Sequence, residues 1–252
     1  MNGNSVLLFM KPGAQKINSA QRSVRIGRRL AVALSGAVVL IAGCTSTASV
    51  YPQLSKTAAA TEAEISEGDQ PSVTVGPSAA KSQLTIWEDF RCSACRRFEQ
   101  TFHSTIRRLQ DSGQLKSEYH LVTSIDDKVG GIGSLAAANA ALCAQDAGKF
   151  LEYHDVLYAN QPDEADDRFA DPQFLVQLAG QMNGLVTESF IECVHTGSHD
   201  TVVDQSHSSF IGEQYRGTPT VFLNGKNLSD DPNAPSTPQQ LEQVIMDANN
   251  GK

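Results

Sequence analysis

Two cysteines separated by two residues, Cys92 and Cys95, are the side chains best suited to chemistry in this sequence. A Cys-x-x-Cys pair can supply half of a zinc site, form a structural disulfide or exchange a disulfide with another thiol. Their position favours exchange, because the strand-like residues 83–90 end just before Cys92 and a helical pattern follows from Cys95. That pattern places four apolar side chains on one face: Phe98, Phe102, Ile106 and Leu109.

The start of this helix gives the two cysteines different roles in disulfide exchange. The sulfur of Cys92 would face unpaired N–H groups at the positive end of the helix, which stabilise a thiolate, the attacking species. Cys95 lies one turn further along, where it is shielded and suited to resolve a mixed disulfide by attacking Cys92. Three arginines, Arg91, Arg96 and Arg97, either add positive charge beside the pair or are solvated residues of the helix start. Both interpretations stay open.

The elements around the pair are expected in the order strand, helix, strand, helical region, β-hairpin and helix. A second strand is predicted at 119–123, and the region 134–215 carries helical patterns throughout. Within that region, Asp171-Pro172 and Thr187 predict helix starts. A later strand ends in Asn224-Gly225, a strong hairpin signal, and a helix is expected from Pro238 to Asn249.

Two motifs on either side of the helical region resemble the DsbA-like branch of the thioredoxin superfamily. The resemblance covers Ser82 to the C-terminus. It implies an α/β thioredoxin fold, with a central mixed β-sheet flanked by helices and an inserted all-helical subdomain. The domain would span 73–252, with the insertion at about 130–215. The motifs are Phe90-Arg91-Cys92-Ser93-Ala94-Cys95-Arg96-Arg97-Phe98, preceded by Glu88-Asp89, and Gly217-Thr218-Pro219-Thr220.

The resemblance also implies a cis peptide bond at Pro219, facing the two cysteines. The backbone of Thr218 would then be free to pair with an extended substrate chain beside Cys92. A trans proline at the start of a strand is the alternative. Many relatives carry a buried acid six residues before the first cysteine, but that position is Ile86 here. Glu88, on the same face of the strand, either takes over this role as a proton relay or is a half-exposed carboxylate.

The first 44 residues resemble a lipoprotein-type signal peptide. Basic residues precede the apolar run Leu30–Gly43, which is shorter than the roughly 20 residues that span a membrane. The run ends in Ile41-Ala42-Gly43-Cys44, which resembles the lipobox in which the cysteine carries a lipid. An uncleaved anchor, an ordinary signal with a chance cysteine and a twin-arginine signal are alternatives. Residues 45–72 have few large apolar side chains and are expected to be a flexible tether.

Export affects the interpretation of the other cysteines, because disulfides persist outside the cytosol. There are five cysteines in all. If Cys44 carries a lipid, pairing Cys143 with Cys193 is the arrangement that keeps Cys92 and Cys95 together. A structural disulfide between Cys143 and Cys193 would clamp the helical insertion. Two buried free thiols are the alternative.

Composition and spacing argue against several other classes of protein. The formal net charge of −8 disfavours a nucleic-acid partner. Four potential zinc ligands lie close together in sequence, but their spacing is irregular and Gly197-Ser198 breaks any shared helical face. We therefore expect no metal site and no cofactor. The four ligands are Cys193, His195, His199 and His207.

The expected function is that of a thiol–disulfide oxidoreductase that introduces disulfide bonds into exported proteins containing cysteines. The resemblance implies a membrane quinone-linked reoxidising partner of the DsbB or vitamin K epoxide reductase type. A lipid on Cys44 would hold the enzyme in the cell envelope, at the outer face of the cytoplasmic membrane. Two alternatives stay open: a disulfide reductase or isomerase on the same fold, and a non-catalytic lipoprotein that binds a metal or partner through Cys92 and Cys95, with His103 nearby.

Overall fold

The fold is organised around a mixed β-sheet of six strands. In the computed structural model, which describes residues 64–66 and 70–251, the strands lie in the order β1-β2-β4-β3-β5-β6. Strands β3 and β4 are parallel, and every other neighbouring pair is antiparallel. The strands are β1 Glu64–Ser66, β2 Ser72–Val75, β3 Ser82–Glu88, β4 Leu115–Leu121, β5 Thr220–Leu223 and β6 Lys226–Asn227.

Eight helices flank this sheet in the part of the chain that the structure describes. The first follows β3 directly and leads into β4, and the last follows the β5–β6 hairpin. The other six lie between β4 and β5 and form the helical insertion. The helices are α1 Ser93–Asp111, α2 Ser124–Val129, α3 Gly133–Asp146, α4 Phe150–Ala159, α5 Pro172–Ala179, α6 Glu188–Thr196, α7 Asp200–Gly212 and α8 Pro238–Asn249.

Local sequence signals explain most of these boundaries. Asp171 accepts a hydrogen bond from the Gln173 N–H at the start of α5, and Thr187 does the same for the Phe190 N–H at the start of α6. The predicted hairpin turn at Asn224-Gly225 is confirmed, with positive φ angles of 50° and 80°. The predicted mixed sheet with flanking helices and a helical insertion is therefore confirmed as a thioredoxin fold.

The edge formed by β1 and β2 was not predicted from sequence. β1 pairs with β2, which in turn pairs with β4. Because β1 lies within the segment 45–72, the expectation of a flexible tether does not hold for Glu64–Ser66. Strand pairing uses backbone N–H and C=O groups, so an edge strand can form without many large apolar side chains. The rest of that segment up to residue 63, and the expected signal peptide 1–44, lie outside the described residues.

The insertion differs in two places from the prediction. It begins with α2 at Ser124, before the expected start at about 130, because this six-residue helix buries only Ile125 and has too short a pattern to detect. It is also not helical throughout. Between α4 and α5, residues 160–171 form an extended connection with a single 3₁₀ turn at Arg168–Ala170. Among the described helices, none is both long and apolar enough to cross a membrane.

Candidate active site

Cys92 and Cys95 are free cysteines held in a tight turn between β3 and α1. The turn is closed by a hydrogen bond of 3.0 Å from the Cys92 N–H to the Asp89 carbonyl, and Cys92 is the N-cap residue of α1. Cys92 is 5% exposed and Cys95 is 1% exposed. Strand, turn and helix thus bury both cysteines, and Cys92 is the less deeply buried of the two.

The environment separates the pKa values of the two thiols. A hydrogen bond from Cys95, a second from Thr218 and the N–H groups of Ala94 and Cys95 lower the pKa of Cys92 to about 6, although burial acts in the opposite direction. Burial and the neighbouring Cys92 raise the pKa of Cys95 well above its ordinary value. At neutral pH the pair therefore combines a thiolate at Cys92 with a protonated thiol at the more deeply buried Cys95.

Thr218 and Pro219 lie directly against Cys92. The Thr218–Pro219 peptide bond is cis, and the Cys92 thiol can donate to the Thr218 carbonyl at 3.2 Å. Beside this bond a cavity of about 270 Å³ lies between α1, β5 and the segment leading to α8. Most of its walls are apolar: Phe98, Phe102, Pro219, Val221, Leu228, Ser229, Ala234, Pro235 and Leu241.

Glu88 is fully buried at the end of β3 and bonded to the helical insertion. Its Oε1 lies 2.9 Å from Nε2 of His154, on α4. Burial raises the pKa of Glu88 despite the opposing effect of His154, while the Glu88 charge raises the pKa of His154. Glu88 also contributes to the raised pKa of Cys95. The carboxyl is therefore not half-exposed: it lies in the same buried region as Cys95.

Sequence reasoning missed His154. It lies on the buried face of α4 beside Tyr153 and Leu157, where a histidine at helical spacing looks like an ordinary core residue. Only the fold brings α4 against the end of β3. Once Glu88 is known to be buried, the cost of an unpaired buried carboxylate is the one signal that it needs a partner.

Arg91 does not provide positive charge for the cysteines. Its guanidinium is buried and bridges Asp126 at 2.5 Å and Asp167 at 2.8 Å, and it also donates to the Gly130 carbonyl. Arg91 is therefore neither a free positive charge beside Cys92 nor a solvated residue, because two carboxylates pair with its buried guanidinium. It fastens the active-site turn to Asp126 and Gly130 near the start of the insertion and to Asp167 after α4.

The connection after α4 also holds the turn. Nε2 of Gln161 donates to the carbonyls of Phe90 at 2.7 Å and Cys92 at 2.9 Å. The Ser93 N–H, at the start of α1, donates to Oε1 of Glu164 at 3.0 Å. Arg96 donates to the Gln161 carbonyl, so this arginine is not a free solvated charge either. Insertion and active-site turn are thus fastened together by several hydrogen bonds.

Cys143 on α3 and Cys193 on α6 are joined in a disulfide across a separation of 50 residues. The sulfurs lie near His199, whose Nε2 is bonded to Asp146 at 2.8 Å. The other two histidines of the sequence cluster lie elsewhere: His207 contacts Asp127 and the Thr123 N–H, and His195 is near the end of α6. The four potential zinc ligands are therefore not gathered into one site. Cys44, the expected lipidation site, lies outside the described residues.

Fold and site together define a class: thioredoxin-fold proteins with a helical insertion and a Cys-x-x-Cys pair at the start of the first long helix. A family model described as Thioredoxin matches residues 69–247. The chain therefore belongs to the thioredoxin family, and its features are those of the DsbA-like thiol–disulfide oxidoreductases.

Relatives agree with this assignment. The chain is 24% identical over 168 residues to disulfide bond formation protein D of Bacillus subtilis, covering 64% of this chain and 73% of that protein. The reduced disulfide bond oxidoreductase DsbG of Mycobacterium tuberculosis aligns with a TM-score of 0.60 and 28% identity, covering 70% of this chain and 86% of that one. Oxidised DsbA of the same organism aligns with a TM-score of 0.60 and 27% identity, covering 71% and 92%.

Proposed function

We propose that this protein introduces disulfide bonds into exported proteins, using Cys92 and Cys95 as its redox pair. The observation that carries the proposal is the contrast between the two thiols. Cys92 has its pKa lowered to about 6 at the start of α1, beside the carbonyl before a cis-proline, whereas burial raises the pKa of Cys95. This contrast suits a pair in which one sulfur exchanges with substrates and the other closes or opens the internal disulfide.

In the oxidising direction, a substrate thiolate attacks Cys92 of the Cys92–Cys95 disulfide. A new S–S bond forms as the internal bond breaks, and Cys95 leaves with the bonding electron pair and takes up a proton. A second substrate thiolate then attacks the substrate sulfur of the mixed disulfide, and Cys92 leaves as a thiolate. The substrate loses two electrons, and the enzyme gains them. A low thiolate pKa makes Cys92 a good leaving group in this last step.

The lowered pKa of Cys92 moves the reduction potential in the oxidising direction. A thiol that titrates at about 6, against an ordinary value of 9.0, stabilises the reduced enzyme at pH 7 by about 1.4 kcal/mol. For a two-electron couple this corresponds to about 30 mV towards a more oxidising potential. The Cys92 pKa lies between those of strong oxidants, about 3.5, and thioredoxin, about 7.

The test is the reduction potential of the purified protein, measured by equilibration in glutathione buffers with trapping and mass spectrometry. We expect a value between about −120 and −180 mV. A value near −270 mV would favour the reductase alternative. If Cys92 and Cys95 form no disulfide while the purified protein carries stoichiometric metal, the protein is a metal-binding lipoprotein.

Thr218 and Pro219 are proposed to bind the substrate chain. The Thr218 carbonyl lies 3.2 Å from Sγ of Cys92, and an extended peptide could pair with the Thr218 backbone there as an added strand. The apolar cavity beside Pro219 would receive substrate side chains. Replacing Pro219 with alanine should slow oxidation of a cysteine-containing peptide more than oxidation of dithiothreitol, which has no side chains to bind.

Glu88 is proposed to exchange a proton with Cys95. Both groups are buried, and the charge of Glu88 acts on the Cys95 thiol. A carboxyl whose pKa is raised by burial is closer to neutral pH and so better suited to general acid–base work. Glu88→Gln should therefore slow the steps in which Cys95 gains or loses its proton, while leaving the lowered pKa of Cys92 in place.

We also propose that residues 1–44 form a lipoprotein-type signal peptide, that Cys44 carries a lipid, and that the chain up to Glu64 tethers the domain 73–252 to the outer face of the cytoplasmic membrane. There a quinone-linked membrane protein of the DsbB or vitamin K epoxide reductase type would reoxidise the pair. Fatty-acid labelling of the expressed chain should be lost in Cys44→Ser. Retention of the label would place the lipid elsewhere. The Cys143–Cys193 disulfide would have a structural role, holding α3 to α6.

A further inference from the structure

We propose that a defined path of side chains carries protons between the buried Glu88 and the solvent during each redox cycle. The path consists of His154, Asp155 and His103, and it opens into a cleft between α1 and α4. This inference rests on the proposed function of Cys92 and Cys95 as a redox pair. It adds the route by which Cys95, the more deeply buried cysteine, exchanges protons with water.

Each side chain of the path lies within hydrogen-bonding distance of the next. Nε2 of His154 lies 2.9 Å from Oε1 of Glu88, and the other ring nitrogen, Nδ1, lies 3.3 Å from Oδ1 of Asp155. The same Asp155 oxygen lies 3.3 Å from Nδ1 of His103, on α1. His103 also lies 3.6 Å from Glu99. An imidazole with an acceptor at each nitrogen can take a proton on one side and release one on the other.

The two inner side chains of the path are buried, and the two outer ones are partly exposed to solvent. Glu88 and His154 have side chains that are 1% exposed, whereas Asp155 is 39% exposed and His103 is 36% exposed. The last two residues line a cleft of about 370 Å³ together with Gln100 and Ser104. Solvent can therefore reach the outer end of the path while the inner end is closed to it.

The chemistry requires such a route. When the internal disulfide opens, Cys95 leaves as a thiolate in a buried site and takes up one proton, and when the disulfide closes again, the same proton must depart. Cys95 is 1% exposed, so water cannot exchange with it directly. Glu88 can give and accept this proton only if it is itself recharged from solvent, and His154 is its hydrogen-bond partner on the side of the cleft.

The groups that face Glu88 favour sharing of a proton between its carboxyl and His154. Glu99 on α1 opposes ionisation of Glu88, whereas His154 on α4 favours it. Nearby hydroxyls stay protonated, because burial, together with the charge of Glu88, raises their pKa values; these are Tyr119 on β4 and Tyr158 on α4. The two tyrosines therefore add no mobile proton at neutral pH. This leaves the histidine as the group through which a proton is passed outwards.

The test follows one step, closure of the internal disulfide. The reduced full chain is mixed with excess oxidised glutathione, acid-quenched at intervals and analysed by mass spectrometry, so that decay of the Cys92–glutathione mixed disulfide reports the attack by Cys95. Asp155→Asn and His103→Gln change exposed residues and should leave the fold intact. Ser104→Ala, on the wall of the same cleft but outside the path, is the matched control.

At low buffer concentration we expect closure to slow about tenfold or more in Asp155→Asn and His103→Gln, which is less than the roughly 10²–10⁴-fold effect of a group that itself transfers the proton to the reacting atom. Added imidazole should restore the rate, and the reduction potential should not change. Ser104→Ala should behave as the unaltered protein. Unchanged rates in both path variants, or equal slowing in Ser104→Ala, would overturn the path. Failure of the unaltered protein to close its disulfide at all would instead overturn the proposed function.

Discussion

Lowering the pH should remove the stabilisation that the Cys92 thiolate gives to the reduced protein. Its pKa is about 6 in the folded chain and 9.0 when unperturbed. Because the folded-state value is the lower one, the thiolate stabilises the fold fully above pH 9, and this contribution is lost as the pH falls through 6. At 1.36 kcal/mol per pKa unit, it amounts to about 1.4 kcal/mol at pH 7 and about 0.1 kcal/mol at pH 5.

The assay is urea unfolding of the reduced protein and of Cys92→Ala at both pH values. Other groups that titrate in this range, including Asp89, whose pKa burial raises to about 7, are present in both proteins and cancel in the difference. The stability difference between the two proteins should therefore change by about 1.3 kcal/mol from pH 7 to pH 5, with Cys92→Ala losing less. Thiolate absorbance should titrate with a midpoint near 6. A stability difference that is the same at both pH values, together with a thiolate titration midpoint near pH 9, would refute this account of Cys92.

Three further changes test how the site is held. Arg91→Met should lower the free energy of unfolding in urea by about 3–5 kcal/mol, because it leaves Asp126 and Asp167 without their buried cation. The control Arg168→Met, at an exposed ion pair, should lower it by less than about 1 kcal/mol. Equal losses in the two variants would contradict this prediction. Gln161→Ala should lose about 1–3 kcal/mol, because it leaves the Phe90 carbonyl without its donor while the Cys92 carbonyl keeps the Arg96 N–H, and exposed Gln173→Ala should lose very little. Replacing Cys143 and Cys193 by alanine should cost about 4 kcal/mol in oxidised protein, judged from the 50-residue separation, and little once reductant has opened the disulfide.

The fold was predictable where a pattern was long and locally capped. α1 repeats its apolar residues over five turns, and α8 begins with a Thr237 cap, a proline and Gln240, which together form a capping box. β1 and α2 were missed for the opposite reason. Three strand residues and six helix residues carry too little periodicity to detect.

The same difference between local and distant contacts explains which residues of the site were predictable. Cys92 and Cys95 were identifiable because a local strand-to-helix transition gives them their chemistry. The burial of Arg91 was not predicted, because its partners, Asp126 and Asp167, are 35 and more residues away and come together only when the insertion folds back on the turn. Sequence reasoning could find the residues that lie in its two motifs, but it could not find the contacts that the insertion makes with them.

The surroundings suggest that the insertion sets the chemistry and does more than cover the sheet. α4 provides the histidine bonded to Glu88, and the connection after it provides the Gln161 and Glu164 contacts to the turn. Glu164 places a carboxylate on the Ser93 N–H, one of the amides at the helix start that favours negative charge. Because the thiolate of Cys92 lies at the same helix end, the contacts from the insertion fix the turn in which the pKa of Cys92 is lowered.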